Sequence, residues 1–132
     1  MKNRICPLAD AKWIGGDSAA QSPVIIRRFV AEHTKKATLF VTGLGYFEAK
    51  VNEKLVSADR FVPVFSDYEK RDFTKFSYPL FDETTHAIYY YEYDVTSLMQ
   101  EGENELCIQL GDGFYRQKER LAEGPIDFGD TL

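Results

Sequence analysis

The sequence lacks several features that identify large classes of proteins. Nowhere do its 132 residues approach the roughly 18 consecutive apolar residues of a membrane-spanning helix. Basic residues form no long run, and 16 of them stand against 21 acidic residues, which gives a net charge of −5. A chain with this balance is poorly suited to neutralising phosphates. We therefore expect neither a nucleic acid nor an anionic membrane as a partner.

Cysteine is scarce, and the start of the chain has no targeting segment. Cys6 and Cys107 lie far apart and in no Cys-x-x-Cys arrangement. This favours a loose terminal thiol and a buried thiol over a disulfide or a metal site. The basic residues after Met1 are not followed by the apolar segment of a secretory signal. If Met1 is the natural start, the sequence predicts a cytoplasmic protein; a chain that had lost a signal would look the same.

Aromatic residues, by contrast, are abundant, with ten Phe, eight Tyr and one Trp. They favour strands and also supply surfaces on which a ligand can stack, so composition alone does not separate core from binding face. The length corresponds to one domain. A content of 44% hydrophobic and 28% charged residues is typical of a globular chain.

The clearest pattern lies between residues 88 and 115. Two runs alternate their side chains with a period of two, which is typical of half-buried strands. The residues predicted to share a face are Tyr89, Tyr91, Tyr93 and Val95 in the first run, and Leu106, Ile108 and Leu110 in the second. Between the runs, Asp94 or Thr96 can cap one helical turn at 97–99, and Gly102 can end that turn.

Shorter runs earlier in the chain also have the composition of strands. Residues 24–30 are rich in β-branched side chains, and the Arg27-Arg28 pair within them favours an edge position. Gly43 and Gly45 indicate a bulge or a close approach of two backbones. We predict strands at 11–14, 24–30, 37–42, 47–51 and 55–56, with a turn at 52–54. Many strands at short spacing with one helical turn predict an all-β antiparallel sandwich or jelly roll.

Several short motifs follow one another across residues 11–116. They are Trp13-Ile14, Arg28-Phe29, Gly43 to Ala49, Asp67 to Arg71, Tyr93 to Thr96, Gly102 to Asn104 and Gly111 to Tyr115. In this order they resemble the N-terminal domain of bacterial α-L-rhamnosidases. The resemblance implies a galactose-binding-like β-sandwich, which agrees with the fold predicted from the alternating patterns.

The same resemblance implies a role without a reaction centre. Enzymes of this family are multidomain hydrolases that remove terminal α-L-rhamnose with inversion, and their paired carboxylates lie in a later six-hairpin α/α barrel. Those catalytic residues have no matching positions here, so none is carried over. We expect residues 1–132 to form one accessory β-sandwich domain, a fragment of a longer enzyme. It would pack against downstream domains and contribute to substrate recognition.

The chain departs from the family pattern at three places. Asn52-Glu53 stands where the family has an Asn-Gly hairpin turn, which predicts a different turn geometry. Phe114 stands where the family has Trp in a Gly-Asp-Gly-Trp-Tyr motif. A longer connection predicts an inserted loop at 72–86. The last two changes both bear on any ligand contact that the family would share.

Six residues are candidates for binding a carbohydrate. They are Asp112, Tyr115, Arg116, Asp67, Arg71 and Trp13. The first three lie at the end of a predicted strand, where a carboxylate and a guanidinium can hydrogen-bond sugar hydroxyls beside an aromatic ring. Rhamnose-containing glycans or glycosides are the expected ligands. The alternative for Gly111-Asp112-Gly113 is a turn that ends the strand and lets the backbone approach another segment.

Other polar groups give no comparable signal. Pairs such as Glu101/Glu103 are best explained as solvated turns, and His33 has neither a nearby nucleophile nor a ligand-spaced partner. No spacing of oxygen ligands supports the structural calcium that such sandwiches often carry, so no metal or cofactor is predicted. Two other functions stay open: an autonomous carbohydrate-binding module, and a structural sandwich whose exposed aromatic residues form an interdomain interface.

Overall fold

The computed structural model describes residues 6–16, 20–64, 88–113 and 115, and strands dominate this part of the chain. They are β1 (Val24–Ala31), β2 (Thr38–Val41), β3 (Tyr46–Val51), β4 (Lys54–Leu55), β5 (Tyr91–Asp94) and β6 (Gly102–Gly111). A 3₁₀ turn at Thr96–Leu98 separates β5 from β6. Within the same residues, no helix is long and apolar enough to cross a membrane.

The strands form two antiparallel sheets. The larger sheet has the order β1-β6-β3-β4, and the smaller one pairs β2 with β5. Val41 of β2 packs with Phe47 and Ala49 of β3 and with Val62, and each of these side chains is less than one-tenth exposed. The two sheets therefore enclose an apolar core between them, and the predicted all-β antiparallel sandwich is confirmed.

The inward face of the larger sheet follows the predicted alternation. Along β3, the side chains of Phe47, Ala49 and Val51 are buried, while those between them are half-buried. Their partners in β6 are Leu110, Ile108 and Leu106. Directly opposed residues of antiparallel strands lie on the same face of the sheet. The predicted apolar face of β6 is therefore the core face, and Cys107 lies on the opposite side of the sheet.

The smaller sheet contributes tyrosines to the same core. The rings of Tyr91 and Tyr93 stack with centroids 5.8 Å apart, and Tyr91 meets Phe47 edge-on at 6.2 Å. Val95, just after β5, is buried at 5% exposure. Tyr89 lies before the first residue of β5 and is 54% exposed, so it does not extend the buried face as predicted. Alternation ends where the cross-strand pairing to β2 ends.

β1 lies at the edge of the larger sheet among the described residues, as its arginine pair predicts. The N–H of Leu110 donates to the carbonyl of Pro23 at 2.9 Å, which fixes which residues of β1 bond to β6. Because such bonds alternate along an antiparallel pair, the N–H groups of residues 24, 26, 28 and 30 point away from the sheet. We call residues 24–31 the β1 flank.

The β3–β4 hairpin turn corrects one prediction. Asn52 and Glu53 have φ values of 50° and 66°, and positive φ at both central residues is what a type I′ turn requires. The replacement of Gly by Glu53 therefore leaves the backbone in the conformation that an Asn-Gly turn favours. The prediction of a different geometry was wrong. The Asn52 side chain donates hydrogen bonds to Leu98 and Asn104 and accepts one from the Glu105 N–H, and these bonds hold the turn in this conformation.

Asn104 explains the Gly102-Glu103-Asn104 motif structurally. This side chain is 2% exposed, and its oxygen accepts hydrogen bonds from Asn52 Nδ2 at 2.8 Å and from the Gln100 N–H at 2.9 Å. Its nitrogen donates to the carbonyls of Gln100 and Gly102. All the hydrogen-bonding capacity of a buried amide is thus used. The motif ties the start of β6 to the β3–β4 turn.

The helical turn between β5 and β6 begins one residue earlier than predicted. Asp94 Oδ1 accepts the Thr96 N–H at 2.9 Å. Hydrogen bonds from the Thr96 side chain and backbone hold the pKa of the Asp94 carboxyl below its usual value. Thr96 Oγ1 also accepts the Ala37 N–H at 2.9 Å, which links the turn to the start of β2. Gly102, with φ of 87°, then begins β6 in a conformation that favours glycine.

The predicted first strand at 11–14 is wrong. Residues 11–16 contain no strand, and Trp13 and Ile14 are 60% and 64% exposed. The preceding backbone forms turns, in which the Ala9 N–H donates to the Cys6 carbonyl. A short apolar run becomes a strand only where a neighbouring strand satisfies its backbone groups. In the described part of the chain, no strand pairs with these residues.

Candidate functional site

The six predicted carbohydrate-binding residues divide into two groups. Asp67, Arg71 and Arg116 lie outside the described residues, as do Phe114 and the predicted insertion at 72–86. Asp112 follows the last residue of β6 directly and Tyr115 lies in the turn region after it, so both come after a strand end as predicted. Trp13 is exposed and belongs to no strand.

The end of β6 lies against the start of β3 with almost no space between the backbones. A Cβ atom on Gly45 would overlap the carbonyl oxygen of Gly111 and lie 2.8 Å from that of Asp112. A Cβ on Gly113 would lie 2.9 Å from the Tyr46 nitrogen, and the φ of Gly113 is 53°. Only glycine fits positions where two backbones approach this closely. The predicted close approach at both glycine motifs is confirmed.

The close approach of β3 and the end of β6 places two aromatic rings beside the Gly111–Gly113 turn. Tyr46 and Phe61 meet edge to face with centroids 5.6 Å apart, a favourable geometry for aromatic pairs. The Phe47 N–H donates to the Val62 carbonyl at 2.8 Å, which holds the Phe61 segment against β3. We call Tyr46, Phe61, Tyr115 and the turn with Asp112 the β6-end surface.

Phe61 is the residue that sequence reasoning missed. Its side chain is 77% exposed, and its φ is 57°, a value that bulky residues rarely adopt. An exposed ring on a strained backbone costs free energy in two ways, which makes Phe61 a candidate for contact with another molecule. The available signal was weak: a single aromatic residue before Val62-Pro63, in a loop otherwise made of small and charged residues at 57–60.

A second cluster of polar groups lies under the smaller sheet. The Tyr93 hydroxyl donates to Asp59 Oδ2 at 3.3 Å, and the Ser57 hydroxyl donates to the same oxygen at 2.7 Å. Burial, followed by the negative charge and hydrogen bond of Asp59, raises the pKa of Tyr93 to about 12. The pocket around these groups is lined by core residues such as Phe47 and Val62 and is very small. The cluster fastens the 57–59 loop to β5 and leaves no room for a ligand.

The remaining candidates for chemistry are on the surface. The Glu101 carboxylate accepts the His33 N–H at 3.1 Å, and both side chains are mostly exposed. Cys6 is exposed and Cys107 is half-buried, and both are free thiols. Among the described residues, no group of three or more His, Cys, Asp or Glu side chains is arranged to hold a metal ion.

Comparisons with a family model and with known sequences all match one group of enzymes, the α-L-rhamnosidases. Residues 32–78 and 74–131 match the family model of the alpha-L-rhamnosidase N-terminal domain. An α-L-rhamnosidase from Streptomyces avermitilis is 29% identical over 128 residues, which cover 91% of this chain and 11% of that protein. One from Formosa agariphila is 35% identical over 81 residues, which cover 61% and 7%. The chain thus spans about one-tenth of the length of these relatives.

Solved structures are similar over most of the chain. The native α-L-rhamnosidase from Aspergillus terreus superposes with a TM-score of 0.65 and 25% identity, covering 84% of this chain and 11% of that one. The Streptomyces avermitilis α-L-rhamnosidase in complex with L-rhamnose superposes with a TM-score of 0.56 and 30% identity, covering 73% and 8%. In both, the similar part is again about one-tenth of the larger protein.

Proposed function

Because this chain belongs to the α-L-rhamnosidase N-terminal domain family, we propose that it is a non-catalytic accessory domain of a longer α-L-rhamnosidase. The single observation that supports this most is coverage: the match takes in 91% of this chain but only 11% of a relative that carries the enzyme's name. A role in packing against the rest of such an enzyme accounts for both numbers.

The chemistry of glycoside hydrolysis also favours a non-catalytic role. An inverting glycosidase holds an acid and a base carboxyl roughly 6.5–9.5 Å apart across a cleft that fits a sugar and a water molecule. The β6-end surface has one described carboxylate, Asp112, which is exposed. Glu101 and Glu103, the acidic pair within the described residues, lie exposed at the start of β6. Neither arrangement is a cleft between two carboxylates.

Hydrolysis of an aryl α-L-rhamnoside tests the proposal. The open reading frame is extended to its natural limits, and the longer polypeptide and the 132-residue chain are assayed side by side. We expect the longer polypeptide to release the aryl alcohol with inversion and the chain alone to release none above background. Release by the chain alone, or a reading frame with no further domain, would contradict the proposal.

Direct contact with the sugar is a second function, favoured by the Tyr46–Phe61 pair beside Asp112. A sugar has an apolar face that stacks on aromatic rings and hydroxyls that bond to a carboxylate. Titration of the chain with L-rhamnose, followed by NMR, should shift the amides of residues 46, 61 and 112 at about millimolar sugar. Phe61→Ala should remove these shifts, whereas Leu55→Ala should not, because Leu55 pairs with Lys50 near the opposite end of β3 from Tyr46. Unshifted amides would exclude this function.

A further inference from the structure

The outward side of β1 is unusually apolar for an exposed strand. Val24, Ile26 and Val30 are 51%, 55% and 66% exposed, and they share one face of the sheet. Their backbone N–H groups also point away from β6, as does that of Arg28 between them. Within the part of the chain that the structure describes, the β1 flank therefore presents apolar side chains, and no strand pairs with its outward N–H groups along the same eight residues. Proteins rarely leave a long apolar edge uncovered, because such an edge pairs with other strands.

An apolar groove lies on the core side of the same strand. Its lining includes Phe29 of β1, Leu39 of β2, Met99 and Leu106, and its volume is about 220 Å³. Among the described residues, the smaller sheet packs mainly on β3 and β6, and the groove lies where the core side of β1 extends beyond this contact. A space of this size accepts one or two aliphatic or aromatic side chains.

The positive charges of Arg27 and Arg28 limit which kind of strand can pair with the β1 flank. Arg27 lies on the core side of β1 opposite Leu106, and Arg28 lies on the outward side, where its Nε bonds to Glu105 at 2.9 Å. Both arginines are exposed. If two copies of β1 paired antiparallel over most of their length, arginine would face arginine, and like charges directly opposed destabilise a sheet. The edge thus disfavours a second copy of itself and favours a strand with acidic residues at its centre.

We infer that the β1 flank binds an extended segment of the same polypeptide, from outside these 132 residues, which adds a strand to the larger sheet. The segment carries apolar side chains that cover Val24, Ile26 and Val30 and fill the groove, and adjacent acidic residues opposite Arg27 and Arg28. This inference depends on the proposed function, because the relatives in which this chain covers 7–11% of the length supply ample further polypeptide. Addition of a strand at a vacant edge is a common mode of recognition.

Amide hydrogen exchange on the longer polypeptide tests the inference. The outward amides of residues 24, 26, 28 and 30 should exchange about 100-fold or more slowly than unprotected amides. The amide of Leu55 is the matched control, since it points away from β3 at the opposite edge. In the 132-residue chain the same four amides should exchange freely, while that of Lys50, bonded to β6, stays protected.

Each outcome of this experiment is decisive. Free exchange at the β1 flank in a longer polypeptide that hydrolyses the aryl rhamnoside would overturn the inference and leave the proposed function intact. Slow exchange in the 132-residue chain would show that a segment of this chain covers the strand, and would also overturn it. A longer polypeptide without rhamnosidase activity would count against the proposed function, whatever its exchange pattern.

A charge reversal tests the acidic segment separately. In the longer polypeptide, Arg27→Glu should speed exchange at the outward amides of β1 by about tenfold or more, because it places a carboxylate opposite carboxylates. Lys54→Glu is the matched control, since it makes the same change of charge on β4 and should leave these amides protected. Equal exchange in the two variants would exclude charge recognition at this edge.

Discussion

The two flanks of the larger sheet, β1 and β3, are both regular strands but differ in how far their side chains are buried. In the β3 flank, residues 46–55, Phe47 and Val51 are 7% and 3% exposed beneath the smaller sheet. In the β1 flank, the core-face side chains of Ile25 and Phe29 are only half-buried, and Ile26 on the outward face is 55% exposed. Both strands pair with β6 in unbroken register. The difference is in what covers them.

This contrast separates the pairing of strands from the burial of their side chains, two properties that an alternating sequence pattern predicts together. A period of two in the sequence predicts which side chains share a face of the sheet. The hydrogen-bond register between strands is then set by the need to keep the apolar side chains on the same face. Burial of that face needs a second layer, and burial is what stabilises, at roughly 25 cal/mol per Å² of apolar surface removed from water. The β3 flank therefore contributes more to stability than the β1 flank, which has exposed apolar surface left for a partner.

Truncating one phenylalanine on each flank gives the largest expected effect. Phe47→Ala should lower the free energy of unfolding by about 3–5 kcal/mol, because it opens a cavity in a closed core. Phe29→Ala is the matched change on β1 and should cost about 1–2 kcal/mol, since its ring already borders an open groove. Urea unfolding of the two variants measures the difference. Equal losses would show that the two flanks are equally packed.

The next largest effect concerns Asn104 of β6, which holds the turn at the end of the β3 flank. Asn104→Ala should destabilise the chain by about 2–3 kcal/mol, because it leaves partly buried backbone groups of Gln100 and Gly102 without their side-chain partner. Gln109→Ala, which removes an exposed hydrogen bond to Ser22, should cost less than about 0.5 kcal/mol. The same urea measurement compares them. A small loss in Asn104→Ala would mean that water replaces the amide.

Much of the β3 flank was predictable from sequence, because local rules act there in the same direction. Gly45 and Gly113 were recognised as points of close backbone approach, and steric exclusion at a Cβ is a local property. The edge position of β1 was predictable from Arg27-Arg28, since a charged pair does not fit inside a covered strand. The partial burial of the core side of β1 was not predictable, because it depends on how far the other sheet extends.

Predictions failed where distant residues decide the conformation. The sequence predicts an altered turn at Asn52-Glu53, yet Asn104 and Glu105, about 50 residues later, hold the type I′ geometry. Trp13 lies in a run with which no described strand pairs. For the candidate site, the sequence predicts that Asp112 and Tyr115 come after a strand, whereas the position of Phe61 beside Tyr46 depends on a contact between residues 15 positions apart and has no local signal.

A change at the hairpin turn sharpens this view of the β3 flank. Glu53→Gly should stabilise the chain by about 0.5–1 kcal/mol, because a side chain at φ of 66° is strained and glycine is not. Asn52→Gly relieves the same kind of strain but removes three side-chain hydrogen bonds, so it should destabilise. Thermal unfolding distinguishes the two. Stabilisation by both would mean that the Asn52 bonds contribute nothing.

The smallest effect is a pH dependence of the free energy of unfolding, caused by the hydrogen bond between Tyr93 of β5 and Asp59 in the loop after β4. The pKa of this hydroxyl is raised from 10.0 in a free tyrosine to about 12 in the folded chain. The unfolded chain therefore releases the proton first as the pH rises, and folding loses stability between those two values. At neutral pH, Tyr93→Phe should cost about 1 kcal/mol or less, because its hydrogen bond to the Asp59 carboxylate is long, at 3.3 Å, and exposed to water.

The difference in stability between the wild-type chain and Tyr93→Phe isolates this group, because every other tyrosine titrates in both proteins. We expect the difference to shrink between pH 10 and pH 12, measured by urea unfolding at each pH. Asp59→Asn is the control, since it removes the charge that adds to the shift but keeps burial, its first cause. In that variant the pH dependence should weaken and move to lower pH without disappearing. A difference that stays constant across this range would mean that the Tyr93 hydroxyl meets water as freely as the exposed side chains of the β1 flank do.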